Sequence, residues 1–162
     1  MRFRTKQVLH VAGLVFKEEN GKDYVLIGKR KKTEKLYPEY WEFGGGKVKK
    51  NETFEEALKR ELWEEFNIEV KILMPFETYN IIFGDRILIL GICFLCRLIK
   101  DNPIFNTKKE IKGKEHDIIK WVFIEDLVDN KQIYDFLIPG LKKRLIFGYK
   151  IYQKFFKSSK TI

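Results

Sequence analysis

The spacing of apolar positions changes along this chain, and each change marks an element. Val8 to Phe16 is a nearly continuous apolar run of strand type, and Tyr24 to Gly28 is another. Between them, Glu18 to Lys22 contains Asn20-Gly21, which favours a tight hairpin turn. A basic stretch with Pro38, Lys29 to Tyr40, interrupts the pattern before Trp41-Glu42-Phe43 leads into Gly44-Gly45-Gly46. From Glu52-Thr53 to Phe66 the apolar residues recur every three or four positions, the period of a helix. Strand-like runs follow at Glu69 to Leu73, Tyr79 to Phe83 and Ile87 to Leu98, with Pro75 after the first and Gly84-Asp85 between the last two. Lys100 to Lys114 is polar and predicts a loop, Ile118 to Phe123 a last strand, and Glu125-Asp126-Leu127 a short helix. Pro139-Gly140 precedes a final helical pattern, Leu141 to Phe156. Mixed strands and helices without an internal repeat predict one α+β domain over residues 1–162.

The longest uncharged apolar run, Ile87 to Cys96, has ten residues, against the roughly 18 that a membrane-spanning helix needs. No membrane partner is expected. Met1-Arg2-Phe3-Arg4 and the residues after it lack the small-residue cleavage site of a secretory signal, so the expected location is cytoplasmic. With 44% hydrophobic residues, 162 positions suffice for one buried core. Charge adds a hint about partners: 32 Lys+Arg against 23 Asp+Glu leaves +9, a field that concentrates phosphates or nucleic acid. Cys93 and Cys96 have C-x-x-C spacing, which in a turn suggests redox or zinc chemistry. Within a strand, residues three apart point to opposite faces, so these two read as core thiols.

The helix over Thr53 to Phe66 carries the chemistry. At about 100° per residue, Phe54, Leu58 and Leu62 form an apolar stripe, and Glu61, Glu64 and Glu65 share a neighbouring face. Solvated charges on an amphipathic helix ordinarily lie opposite the buried stripe, so these acids are expected to be half-buried. Two like charges about 6 Å apart repel by roughly 1 to 3 kcal/mol. Either protonation of one carboxylate or a bound hard cation, Mg²⁺ or Mn²⁺, would offset that repulsion. Upstream, the glycines and Lys47-Val48-Lys49-Lys50 favour close approach of a phosphate chain, whose oxygens the same cation would bridge. The combination points to metal-assisted hydrolysis of a phosphoanhydride.

Gly46, five residues, Glu52, seven residues, then Arg60-Glu61-Leu62-Trp63-Glu64-Glu65-Phe66-Asn67-Ile68 resembles the Nudix box, G-x5-E-x7-R-E-U-x-E-E-x-G-U, where U is a bulky aliphatic. Asn67 replaces the last glycine, a mild departure because Asn also tolerates the left-handed C-cap of a helix. Trp41-Glu42-Phe43-Gly44-Gly45-Gly46-Lys47-Val48 is similar to the W-E-F-P-G-G-K-V entry of MutT-like members, with Gly44 for proline. Glu115, six residues before Trp121, also looks MutT-like. The resemblance covers about Val8 to Leu127 and implies an α/β/α sandwich around a mixed sheet. It further implies a Mg²⁺-dependent nucleoside triphosphate pyrophosphohydrolase that releases a nucleoside monophosphate and pyrophosphate.

On this resemblance Glu64 and Glu65 hold metal with Glu61 as a ligand or the base that orients water, Gly45 is a further ligand, and Glu115 is a candidate additional ligand or base. Arg60, four residues from both Glu56 and Glu64, suits a brace for the carboxylates. Glu52 is either the box glutamate or a plain helix-start acid favoured by the dipole. Arg30, Phe43, Gly46 and Lys47 are candidate substrate contacts, although an aromatic such as Phe43 more commonly enters a core. His10 and His116 read as structural. Leu141, Leu145, Tyr149, Tyr152 and Phe156 predict a docking helix, whose Lys142, Lys143, Arg144, Lys150, Lys154 and Lys157 keep RNA contact open. An RNA 5′-end pyrophosphohydrolase and a catalytically silent nucleotide- or RNA-binding module are the alternatives. Monomer or homodimer is left open. Asp126 to Gly140 shows no equivalent of the asparagine with which MutT-like enzymes read guanine.

Overall fold

The computed structural model describes residues 6–83, 87–101, 116–129 and 137–157. Strands β1 (Lys6–Glu19), β2 (Lys22–Arg30), β3 (Trp41–Glu42) and β4 (Gly44–Lys47) precede helix α1 (Phe54–Phe66). After it come β5 (Glu69–Phe83), β6 (Ile87–Lys100), β7 (His116–Phe123), α2 (Ile124–Asp129) and α3 (Leu141–Phe156). Among the described residues seven strands form one sheet in the order β3-β2-β1-β6-β5, with β4 also on β1 and β7 also on β2. β1 and β6 run parallel from Lys6↔Ile87 to Phe16↔Arg97, and the remaining ladders are antiparallel. Along one edge β1 changes partner, pairing with β4 over residues 10–13 and with β2 over residues 16–19.

Period-two alternation sorts the sheet's side chains into two cores. Val11 and Val15 of β1 join Leu26, Phe94 and Cys96 beneath α1, which buries Ala57, Leu58, Leu62 and Phe66. Ala12, Leu14 and Phe16 face the other way, with Cys93 and Leu95, and meet Leu127 of α2 and Leu141, Leu145 and Tyr152 of α3. Burial of each large apolar side chain contributes about 1.5–3 kcal/mol, and the outcome is a helix–sheet–helix sandwich with a mixed sheet, as expected. Cys93 and Cys96 are free and buried in opposite cores. Burial pushes the Cys93 thiol up to about 12 and raises Cys96 as well, so both behave as core hydrophobes.

Two expectations need correction. Glu69 to Leu73 and Tyr79 to Phe83 are not separate strands: β5 is continuous through Pro75, with register shifts between Ile72 and Met74 and between Pro75 and Glu77. β5 lies at the sheet edge, where a residue without an N–H costs no ladder bond on the open side. The glycine run, given no strand of its own above, is one: Gly44–Lys47 pairs with β1. The expected turn at Gly84-Asp85 and most of the loop over Lys100 to Lys114 lie outside the described residues.

α3 docks as its apolar spacing predicts, and polar contacts fasten it. The Asp23 carboxylate, buried at the start of β2, accepts hydrogen bonds from Tyr149 Oη at 2.6 Å and Lys157 Nζ at 2.5 Å. Arg97 Nη2 donates to the Phe156 carbonyl at 2.6 Å, and Arg144 pairs with Glu77. Arg144 and Lys157 thus serve packing. Among the described residues no helix is long and apolar enough to cross a membrane.

Candidate active site

α1 starts where Thr53 caps it. The Thr53 hydroxyl accepts from the Glu56 amide at 3.1 Å while the Glu56 carboxylate accepts from the Thr53 amide at 2.9 Å, a reciprocal capping box. The helix ends at Asn67, whose φ of 52° and ψ of 45° are left-handed and whose amide donates to the Trp63 carbonyl at 2.9 Å. This is the cap conformation in which Asn can stand for glycine. Between these ends the three acids grade from open to buried. The Glu64 side chain is 43% exposed, that of Glu61 14%, and that of Glu65 5%.

The charge between Glu61 and Glu64 is a guanidinium: Arg60 Nη1 lies 2.6 Å from Glu61 Oε1 and 3.4 Å from Glu64 Oε2. On its other edge Arg60 grips Glu52 in a bidentate pair, Nε to Oε1 at 2.6 Å and Nη2 to Oε2 at 2.9 Å, and Nη2 also donates to the Lys47 carbonyl at 3.0 Å. Glu56, the partner suggested by helix spacing, is occupied in the capping box. Glu52 precedes the helix and folds back onto it, so it acts as the Arg60 clamp rather than as a helix-start acid. The Arg60 hydrogen bonds, aided by one from the Lys49 amide at 2.9 Å, hold the Glu52 carboxyl down at about 2. In turn Glu52, and then Glu61, hold Arg60 firmly protonated.

β4 brings the glycines against this cluster. A Cβ on Gly46 would lie 2.2 Å from the Glu61 carboxyl carbon, so the bare backbone makes room for that carboxylate. Gly44 is closed off by Phe66 and Leu62, and Gly45 by the Val11 carbonyl. At the end of β2, Arg30 Nη1 donates to Glu42 Oε1 at 2.7 Å, Arg30 Nη2 to Glu34 at 3.2 Å, and Arg30 Nε to the Leu36 carbonyl at 3.0 Å. His116 Nε2 meets the same Glu42 oxygen at 2.9 Å, and His116 Nδ1 faces Glu65 Oε2 at 4.0 Å.

The structure therefore brings Glu52, Arg60, Glu61, Glu64, Gly46 and Lys47 together, with Gly45 beside Gly46 on β4; Arg30 on β2 is linked to Glu65, on the same helix, through Glu42 and His116. Phe43 is not among them: its ring is 5% exposed and packs in the core on the α3 side of the sheet, so it offers no face to a nucleotide base. Glu115 lies outside the described residues. Glu42, not singled out from the sequence, and His116, read there as structural, also border this cluster, His116 standing between Glu42 and Glu65. Among the described residues no three metal-ligating side chains converge on one point, since Arg60 already draws Glu61 and Glu64 to itself. The donor set nonetheless fits a hard divalent ion: oxygen donors from one helical face, with the Gly46 gap beside Glu61.

Comparison with known proteins agrees with this geometry. The NUDIX domain profile matches residues 6–140. Over 131 residues the chain is 32% identical to the 8-oxo-dGTP diphosphatase of Buchnera aphidicola subsp. Acyrthosiphon pisum (strain APS), covering 77% of this chain and 90% of that protein. It is 33% identical over 117 residues to the 8-oxo-dGTP diphosphatase of Buchnera aphidicola subsp. Schizaphis graminum (strain Sg), covering 72% and 78%. Among solved structures, the MutT protein from Methanosarcina mazei Go1 shares the fold with a TM-score of 0.69 at 20% identity, over 92% of this chain and 97% of that one.

Proposed function

Since the chain belongs to the NUDIX family and is a hydrolase of phosphoanhydride bonds, we propose that it is a divalent-metal-dependent nucleoside triphosphate pyrophosphohydrolase. Its products are a nucleoside monophosphate and pyrophosphate, and its preferred substrates include oxidised guanine nucleotides, the class named in its relatives. The observation that carries the reading is the acidic face of α1, with Glu61 seated against the bare backbone of Gly46 and braced by Arg60. Glu61, Glu64 and Glu65 would hold the ion, Mg²⁺ or Mn²⁺. When bound, it would supply charge neutralisation on the phosphate oxygens and lower the pKa of a water so that it can lose its proton and attack phosphorus. The Glu52–Arg60 clamp sets where Glu61 and Glu64 present their oxygens, and burial keeps Glu65 from turning away to solvent.

The test is a panel of nucleoside triphosphates, 8-oxo-dGTP and a 5′-triphosphate RNA, incubated with Mg²⁺ or with EDTA. Pyrophosphate release that EDTA abolishes, fastest on free nucleotides, is expected. Turnover confined to the RNA would move the activity to RNA 5′ ends. Nucleotide binding without turnover under every metal would leave a silent binding module.

A further inference from the structure

His116 is nearly inaccessible, 1% exposed, and is held from four sides. Its ring stacks on Phe66 with centroids 5.2 Å apart and planes at 27°. It lies against the Cα of Gly28, where a Cβ would stand 2.6 Å from its Cδ2. Nε2 meets Glu42 Oε1 at 2.9 Å, and because a carboxylate can only accept, Nε2 donates whatever the ring's charge. That bond fixes the rotation of the ring, and Glu42 is itself held by Arg30 at 2.7 Å. The remaining nitrogen, Nδ1, is buried without a hydrogen-bond partner among the described residues and is aimed at Glu65 Oε2, 4.0 Å away. Glu65 and Phe66 are consecutive at the end of α1, so one ring abuts the carboxylate and stacks on its neighbour.

We propose that His116 is a positioning residue for catalysis: its hydrogen bond to Glu42 holds a polar edge against Glu65 and so sets where Glu65 can place its carboxylate. The inference rests on the assignment of Glu65 to the metal made above. Its logic is that of an outer partner which orients a ligand, whose loss typically weakens metal affinity or activity by about 10- to 100-fold.

His116→Phe keeps the ring and its stack on Phe66 but removes both nitrogens. His116→Gln can still donate to Glu42. Mn²⁺ binding to the nucleotide-free protein is measured by electron paramagnetic resonance, beside kcat, KM and thermal melting. His116→Phe is expected to weaken Mn²⁺ binding by about 10-fold or more and to lower kcat by about 10- to 100-fold, with KM within about 3-fold of wild type. His116→Gln recovers most of both. A folded His116→Phe with wild-type Mn²⁺ affinity and kcat, or a His116→Gln no better than it, overturns the proposal. Should His116→Phe not fold, His116→Asn, polar but too short to reach Glu42, takes its place with the same expectations. Wild-type protein that neither binds Mn²⁺ nor turns over would instead refute the metal-hydrolase reading itself.

Discussion

Gly46→Ala isolates the link between backbone packing and catalysis. Gly46 lies in β4 without a positive φ, so alanine is compatible with the backbone there. The new methyl, however, would sit 2.2 Å from the Glu61 carboxyl carbon and 2.5 and 2.6 Å from its oxygens, whereas carbon contacts settle at about 3.5–4.0 Å. Glu61 must therefore retreat by roughly an ångström or more, and its 2.6 Å bond to Arg60 Nη1 must stretch or reorganise. A misplacement of about 1 Å costs on the order of 100-fold in rate, equivalent to about 2.7 kcal/mol of barrier. Stability should suffer far less, by about 1 kcal/mol at most, because the moving atoms are the end of a flexible side chain in a partly exposed ion pair. Gly44→Ala is the matched control. Its methyl would meet Phe66 Cε2 at 2.3 Å and Leu62 Cδ2 at 2.6 Å, both fully buried, where overpacking costs about 1–3 kcal/mol. Pyrophosphate release and thermal melting on the two variants should separate cleanly, Gly46→Ala losing rate and Gly44→Ala losing melting temperature. A Gly46→Ala protein with wild-type kcat would show that the observed place of Glu61 is irrelevant to the reaction, and the reasoning from Gly46 would be wrong.

Glu65→Gln should lower kcat by several orders of magnitude without loss of fold, and normal turnover in that variant would remove the metal from this helix. The folded pKa of Glu52 is depressed from 4.5 to about 2, so its contribution to stability is complete above about pH 4.5 and disappears as pH falls through about 2. Denaturant titrations of wild type and Glu52→Gln should accordingly differ at pH 7 and converge in strong acid; a gap that persists there would contradict the Arg60 clamp. Tyr149→Phe removes a hydrogen bond to the buried Asp23 carboxylate and should cost about 1.5–3 kcal/mol in urea unfolding, while a neutral result would mean that α3 is held by its apolar face alone.

What was legible in the sequence is what depends on neighbours a few residues apart. The face shared by Glu61, Glu64 and Glu65 follows from helix geometry, and the left-handed cap at Asn67 follows from the conformations Asn tolerates. The Thr53-x-x-Glu56 signature was equally local. It could have shown in advance that Glu56 is taken and that Arg60 must look elsewhere, as it does to Glu52, eight residues back. Period-two alternation likewise placed Cys93 and Cys96 in opposite cores.

Other features depended on contacts that no spacing records. Pro75 and the run around it have no strand signature of their own, and β6 draws them into one edge strand. The three glycines carry no strand signature until β1 pairs with them, and their lack of Cβ then makes room for Phe66, Leu62 and Glu61. Glu42 and His116 stand 74 residues apart and meet because β3 and β7 both pair with β2. Residue order alone determined which acids share a helical face, because the backbone repeat makes that a local property. Which cations, carboxylates and rings reach that face was decided by the tertiary structure, since sheet pairing sets those distances between segments remote in the chain.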